Sequence, residues 1–369
     1  DNLTDHLFRL SPLNGSTIPC LHSSLPPSTF VLPMFTEFHT SLTSIQSYDT
    51  SDLSLYSIQS ILDMDYQVAC KLQRFLSLDF ESNAQLSFKN TCTTVSQLSH
   101  FLSVSDPNAG LFSVAIPKSR DFIMEDHAFS IAICRRLNLN IKSIPPGLSC
   151  PCNKKAGNPC DALGKHLSTG CACGGFRNKT HDNVNSVLET LARSNGFKVI
   201  REELNCFRLT DLLGNKRPDL SLFDIPGFHK DKLIIDSTIV GRFEGGTLAN
   251  VSPGKAIETA IKRKMDTYGS LSTANNLDFL PMVFESGGRM NSAVPTLIAA
   301  IVKAGKTLVG VSPSQSLRFW LTRLSVVLQR SLATSIYIRA RQYTAKANRL
   351  GFVDSDPNFI REFDAVHVY

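Results

Sequence analysis

Apolar and polar positions fall into blocks along this chain, and the clearest block is RPDLSLFDIPGFHKDKLIIDSTIV, residues 217–240. Its apolar runs, 220–223 and 233–240, are β-branched and aromatic in character, which predicts two strands. Pro226-Gly227 between them predicts the turn. A hairpin centred between Gly227 and Phe228 sets Asp219 directly opposite Asp236. Opposed Cβ atoms lie roughly 5 Å apart, and like charges there are destabilising. A divalent cation between the two carboxylates removes that cost, and hard oxygen ligands suit Mg²⁺ or Mn²⁺. The plainer alternative is one Asp that starts a strand and another at a sheet edge.

Helical spacing flanks the hairpin. Val184, Val187, Leu188 and Leu191 form one stripe, and Gly196 ends that helix. Glu189 falls about 140° away at roughly 100° per residue, which predicts a solvated residue rather than an active-site acid. Asp182 sits where a first-turn acid belongs, so capping is expected of it. His181 lies at the edge of the stripe, positioned to face a cleft. FKVIREE, 197–203, reads as a strand with Glu203 as a possible extra acid near its end. After the hairpin, Ser252-Pro253-Gly254 predicts a helix with Ser as cap and Pro in the first turn. Its stripe is Ile257, Ile261, Met265 and Tyr268, and Lys264 falls inside it. A lysine there needs an anionic partner, Asp236 or a bound phosphate; otherwise its stem packs and its head reaches water.

Beyond these, 277–286 reads as a strand that Pro281 confines to an edge or a bulge. Helices are expected at 294–304 and 317–332. A basic helix follows from Ser335, with Arg339, Arg341, Lys346 and Arg349 read first as a solvated face and second as a nucleic-acid contact. On the amino-terminal side, 1–50 reads as a linker or the edge of an upstream domain. Residues 51–105 read as two or three amphipathic helices, with Asp52 or Ser54 as a cap. Asp106-Pro107-Asn108 breaks the chain, 111–117 reads as a short extended piece, and 124–137 as a helix with Phe129, Ile131, Ile133 and Leu137 among its apolar positions. No internal repeat is evident.

Ten cysteines are present, five of them in CPCNKKAGNPCDALGKHLSTGCAC, residues 150–173. Clustering with a histidine is metal spacing rather than a disulfide framework, and it implies a reducing compartment, nuclear or cytoplasmic. Cys150, Cys152, His166 and Cys171 complete a closed tetrahedral zinc site, with Cys160 and Cys173 as alternates for one of the four. A segment this short and Gly-rich has little core, so Zn²⁺ binding would supply much of its folding free energy.

Net charge is +6 over 369 residues, which mildly favours a polyanionic partner. Basic residues concentrate mid-chain, among them Lys154, Lys155, Lys165, Arg177, Lys179, Lys216, Arg217, Arg263 and Lys264. No stretch approaches the roughly 20 apolar residues of a membrane helix, and no signal peptide is visible. The chain opens at Asp1 without Met, so it reads as a segment of something longer.

The order helix, strand, Asp-bearing hairpin, helix, strand resembles the αβββαβ core of the PD-(D/E)XK nuclease superfamily. The succession of the cysteine cluster, THDNVNSVLETLARSNGFKVIREE, KRPDLSLFD, LIIDSTIV and AIKRKMDTY resembles the carboxy-terminal part of non-LTR retrotransposon polyproteins that carry a restriction-like endonuclease. The resemblance covers roughly residues 108–340, and AGLFSVAIP…CRRLNL also looks like the piece that precedes the zinc cluster there. No Tyr/Phe-x-Asp-Asp polymerase motif is present.

The resemblance implies an α/β fold: a mixed sheet flanked by helices, preceded by amino-terminal helices and a zinc module and followed by carboxy-terminal helices. The chain is expected to divide into a linker and helical region at 1–105, a connector with the zinc module at 106–177, the endonuclease domain at 178–310 and carboxy-terminal helices at 311–369. The resemblance also implies a Mg²⁺-dependent DNA endonuclease that nicks a double-stranded target, with element RNA and an upstream reverse transcriptase domain as partners and no membrane. Asp219 and Asp236 match the family's acids. Lys264 matches its lysine, displaced from strand to helix, because Thr238 stands where Asp-x-Lys would put it. The basic-His-Asp motif is partly kept in Lys179, His181 and Asp182. Arg217, Lys216, Lys179 and His181 become expected nucleic-acid contacts. Two rival readings stay open: a nucleic-acid-binding fragment whose nuclease has decayed, and a Holliday-junction resolvase-like enzyme.

Overall fold

A computed structural model describes residues 82–152, 158–208, 210, 216–305 and 311–349. The readings for 1–81, including the linker, the first helices and the Asp52 or Ser54 cap, lie outside the described residues. The chain divides into two units, Asp1–Phe88 and Lys89–Tyr369. Of the first, only residues 82–88 are described, and they are helical. Everything below concerns the second, which contains 106–177, 178–310 and 311–349 together.

The unit opens with α1 (Val95–Val104), started by a capping box in which Thr94 and Gln97 satisfy each other's backbone N–H. Residues 111–117 are not extended as expected. Leu111–Val114 forms a 3₁₀ turn whose Leu111 and Phe112 are buried, and Phe112 N donates to Ser325 Oγ at 3.1 Å. Helix α2 is Asp126–Arg136, with Ile131 buried and Phe129 and Leu137 exposed. Two short strands, β1 (Ser149–Cys150) and β2 (Asn158–Pro159), pair antiparallel. A wide π-helical turn at His166–Gly170 follows.

Helix α3 (Phe176–Ser194) then leads into β3 (Val199–Arg201), β4 (Leu220–Phe223) and β5 (Lys232–Val240). Helix α4 (Lys255–Ala274) crosses to β6 (Asp278–Glu285). The sheet order is β3-β4-β5-β6, antiparallel through β5 and parallel between β5 and β6. The protein is therefore mixed α/β, with a four-stranded mixed sheet flanked by helices. β6 is an edge strand, as Pro281 requires, since proline cannot donate to a second neighbour. Helices α5 (Ala293–Ala304) and α6 (Pro313–Arg349) complete the unit. The two helices expected around Leu332 and Ser335 are one continuous helix; no Pro or Gly lies between them to break it. Among the described residues no helix is long and apolar enough to cross a membrane.

Strand parity sets the two faces of the sheet. Leu220, Leu222, Leu233 and Ile235 share the main core with Val184, Val187, Leu188 and Leu191 of α3 and with α5 and α6. Ile234 instead packs with Phe207 and Tyr268 of α4, and Val283 with Ile257 and Ala260. Asp236 is two residues from Ile234, so it belongs to the α4 face. Asp219, two residues before Ser221, the partner of Ile234, belongs there too.

Candidate functional site

The hairpin register pairs Leu220 with Ile235 and Phe223 with Lys232. One step beyond Leu220 and Ile235 stand Asp219 and Asp236, opposite each other as the turn position predicts. Asp236 is buried and Asp219 nearly so, with 6% and 17% of their side chains exposed. Two carboxylates this close and this dry repel. Burial first and the charge of Asp219 second hold Asp236 above the ordinary carboxylate range, against the pull of Lys264 and His181.

Two helices supply the counter-charge. Lys264, near the middle of α4, closes an ion pair with Asp236 Oδ2. The helical stripe predicted that direction, and Asp236 is the anion it meets. From α3, His181 Nε2 hydrogen-bonds Asp219 Oδ2 at 2.8 Å. The backbone N–H of Ser237 donates to the same oxygen at 2.6 Å. Both bonds fall on one carboxylate oxygen, which leaves the other for a ligand. The Asp219 bond raises His181 above the ordinary imidazole range, against its own desolvation. Asp182 adds to that from 3.5 Å. Asp182 is not a cap: α3 begins at Phe176, so it sits in the second turn, between His181 and Arg201. Tyr268 lies beneath Lys264, 5.8 Å from ring centre to amine. Burial first, then Asp236 and Asp219, push its hydroxyl up to about 12, so it stays protonated.

A groove of about 460 Å³ runs past this cluster, lined by Arg177, His181, Ser237, Thr238, Arg263 and Lys264 among others. The acids are not in its lining; the two side chains that bond to them are. Thr238 of β5 and Lys264 of α4 both line the groove. The expected phosphate contacts divide. His181 lines the groove, whereas Lys179 lines a smaller cleft with Glu125 and Arg330. Arg217 is exposed and pairs with Glu202 at 3.6 Å, and Lys216 is exposed. Arg177 and Arg263 are the guanidinium groups at the groove itself, a placement that depends on how α3 and α4 lie rather than on any local motif. Glu203 is not a third acid: it pairs with Lys232 at 2.6 Å, four residues from Asp236 along β5. Glu189 is partly exposed, with 20% of its side chain open to solvent, and it pairs with Arg193 and Arg201 away from the acids.

Ser168, Thr169 and Ala172, which flank the cysteine cluster, also line the groove. One ligand atom from each of Cys150, Cys152, His166 and Cys171 falls within 4.8 Å of the others. Cys150 and Cys171 sulfurs are 3.2 Å apart, and Cys152 Sγ lies 3.3 Å from His166 Nε2. Three sulfurs and one imidazole in so small a volume fit a tetrahedral metal such as zinc, whose bonds of about 2.0–2.3 Å keep ligand atoms roughly this close. Burial pushes the Cys150 thiol up to about 12, so a cation is what would hold it as thiolate. Cys160 and Cys173 stand outside the four.

The module has more core than its composition predicts. Cys150, Leu167 and Cys171 pack with Ile131 and Ala132 of α2 and with Ala333, Ile336 and Ala340 of α6. Tyr343 Oη lies 3.6 Å from Cys171 Sγ. Arg339 corrects the solvated-face reading of the basic helix: it is 1% exposed. Its guanidinium donates to the carbonyls of Leu167, Cys171 and Cys173 and lies 4.8 Å above the Phe176 ring. Among the described residues no cysteine forms a disulfide.

Compared with models of known protein families and with curated protein sequences, the chain matches none.

Proposed function

We propose that this chain is a divalent-cation-dependent endonuclease of the PD-(D/E)XK type that hydrolyses phosphodiester bonds in DNA. The observation that carries the reading is the meeting of Asp219, Asp236, Lys264 and His181 beside one cationic groove. The order α3-β3-β4-β5-α4-β6 supports it as well, being helix, three strands, helix, strand.

The donor set fits a hard cation. Mg²⁺ commonly takes one or two carboxylates and completes its shell with water and substrate phosphate. Asp219 and Asp236 would hold it, Asp219 through the oxygen that His181 and Ser237 leave open. What Mg²⁺ or Mn²⁺ supplies when bound is neutralisation of charge developing on the phosphate and a more acidic water. Lys264 would stabilise the oxyanion at phosphorus, or orient the attacking water, from its place against Asp236. His181 keeps its proton to higher pH than a free imidazole, so it can pass one to the departing oxygen near neutrality. Arg177 and Arg263 would bind the backbone on either side, without reading sequence. The resemblance to retroelement polyproteins makes the substrate a double-stranded target site. It also makes element RNA and a reverse transcriptase domain the partners.

One feature favours the second reading, a nucleic-acid-binding module without hydrolysis. Lys264 and His181 each bond one of the acids, so the protein's own side chains supply counter-charge to both. A nicking assay on supercoiled plasmid with Mg²⁺ separates the two. Cleavage that disappears in Asp219→Asn and in Asp236→Asn, with DNA affinity kept, supports the nuclease. Cleavage unchanged in both variants removes it, and no cleavage by any form leaves the binding module.

A further inference from the structure

A second cavity, of about 440 Å³, borders the cysteine module, whose His166 lines it, and none of the acid-site residues does. It shares only Ser168 and Thr169 with the groove. Its wall is assembled from distant parts of the chain: His100 of α1, Arg135 and Arg136 at the end of α2, Lys165 of the zinc module and Arg242 after β5. Four permanent cations thus face two carboxylates, Asp161 and Glu244.

The carboxylates do not balance the cations. Asp161 is spent on the backbone N–H groups of Lys165 and His166, at 3.0 and 2.9 Å. Glu244 is half exposed and is shared between Lys165 at 3.2 Å and Arg242 at 3.5 Å. Arg135 donates to neutral partners, Gln329 Oε1 and the Ser286 carbonyl. Arg136 Nη1 is buried without a hydrogen-bond partner. The Arg242 side chain is only 10% exposed. Burying like charges together costs free energy unless an anion joins them. Burial and Arg242 bring Arg135 down to about 10. Burial and the same cations hold His100 neutral, at about 4.

We propose that this cavity is a phosphate-monoester site, separate from the acid groove, in which Arg135, Arg136 and Arg242 hold the dianion. Guanidinium forks match phosphate oxygens two at a time. The volume suits one phosphate with an attached nucleoside rather than a duplex. The site therefore takes a terminal phosphate, on a free nucleotide or on the 5′ end of a strand. The shared wall at Ser168 and Thr169 would let a strand end sit here while the chain continues into the groove. The inference stands whether or not the groove hydrolyses DNA.

The test uses the full chain, loaded with zinc. Fluorescence anisotropy compares a 5′-phosphorylated with a 5′-hydroxyl single-stranded oligonucleotide of one sequence, at fixed ionic strength. Inorganic phosphate and a nucleoside 5′-monophosphate serve as competitors. The phosphorylated strand is expected to bind at least tenfold more tightly, and Arg242→Gln to abolish that difference. Arg136→Gln, whose Nη1 bonds nothing in the protein, is the second variant should Arg242→Gln fold poorly. Competition by the monophosphate as strong as by the phosphorylated strand identifies a nucleotide pocket; weaker competition identifies a strand-end pocket. Asp219→Asn is expected to leave the discrimination intact, which keeps this result distinct from loss of cleavage. Equal affinity for the two oligonucleotides, together with no rise in melting temperature in phosphate over chloride, overturns the proposal. So does discrimination that survives in both arginine variants.

Discussion

His181 and Asp219 stand thirty-eight residues apart in sequence and 2.8 Å apart in space, Nε2 to Oδ2. The bond ties α3 to the start of β4 and makes the charge on His181 part of the fold's stability. Because His181 is raised in the folded state, its contribution is fully present below the ordinary imidazole value of about 6.5. That contribution is lost as pH rises through the raised value. His181→Gln is therefore expected to lower the melting temperature most at pH 6, with the gap to wild type closing toward pH 9. Melting curves across that range check it, and a gap that widens with pH contradicts the pairing.

Lys264 and Asp236 set up a second pH-dependent effect of definite sign. Removing the amine leaves a buried carboxylate beside Asp219, with burial and repulsion unopposed on that side. Its protonation is then favoured further, so Lys264→Ala is expected to cost little at pH 5 and about 1–3 kcal/mol at pH 8. Adding Asp236→Asn to Lys264→Ala should restore most of that loss, which a double-mutant cycle by urea denaturation measures. Strict additivity of the two substitutions would mean the pair is not coupled.

The hairpin and its consequence were legible because they are local. Pro226-Gly227 sets a turn, the turn sets a register, and the register sets Asp219 against Asp236. The direction of Lys264 followed from the angular position it shares with Ile261 and Tyr268. Local pattern could not reveal what depends on how elements cross. His181 reaches Asp219 because α3 lies over the end of the sheet. Arg339 looks like surface charge in a basic run, yet the zinc module is folded against it. The arginine cavity joins residues from α1, α2 and the loop after β5, and no window of sequence contains them together. The extended reading of 111–117 failed because Leu111 and Phe112 both turn inward, which a 3₁₀ turn permits and an alternating strand does not.

Zinc content discriminates among the six candidate ligands. Purified protein is expected to hold one Zn²⁺ per chain. Cys150→Ser, Cys152→Ser, His166→Ala and Cys171→Ser should each lose it, while Cys160→Ser and Cys173→Ser retain it. Elemental analysis after dialysis, with a colorimetric chelator to follow release, gives the count. The same four variants should melt at lower temperature, because the metal's binding free energy is part of the module's folding free energy. Retention of metal by all six single variants would mean that no one of these side chains is required to hold it.

Arg339 makes the module's charge balance testable. Three thiolates around a bound Zn²⁺ would carry a net negative charge, and Arg339 is a fully buried cation beside the cluster whose hydrogen bonds go to carbonyls and to Ser335. It fastens the carbonyls of Leu167, Cys171 and Cys173, on both sides of one ligand, to α6. Outer partners of this kind are worth roughly 10–100-fold in metal affinity. Arg339→Met, which keeps the volume and removes the charge and the donors, is expected to weaken zinc binding by that factor in competition with a chelator. Arg339→Lys should recover only part of it, since an ammonium supplies charge but cannot span three carbonyls in one plane. Full recovery by lysine would mean that charge alone matters. Unchanged affinity in Arg339→Met would mean that the helix merely packs on the module and does not tune it.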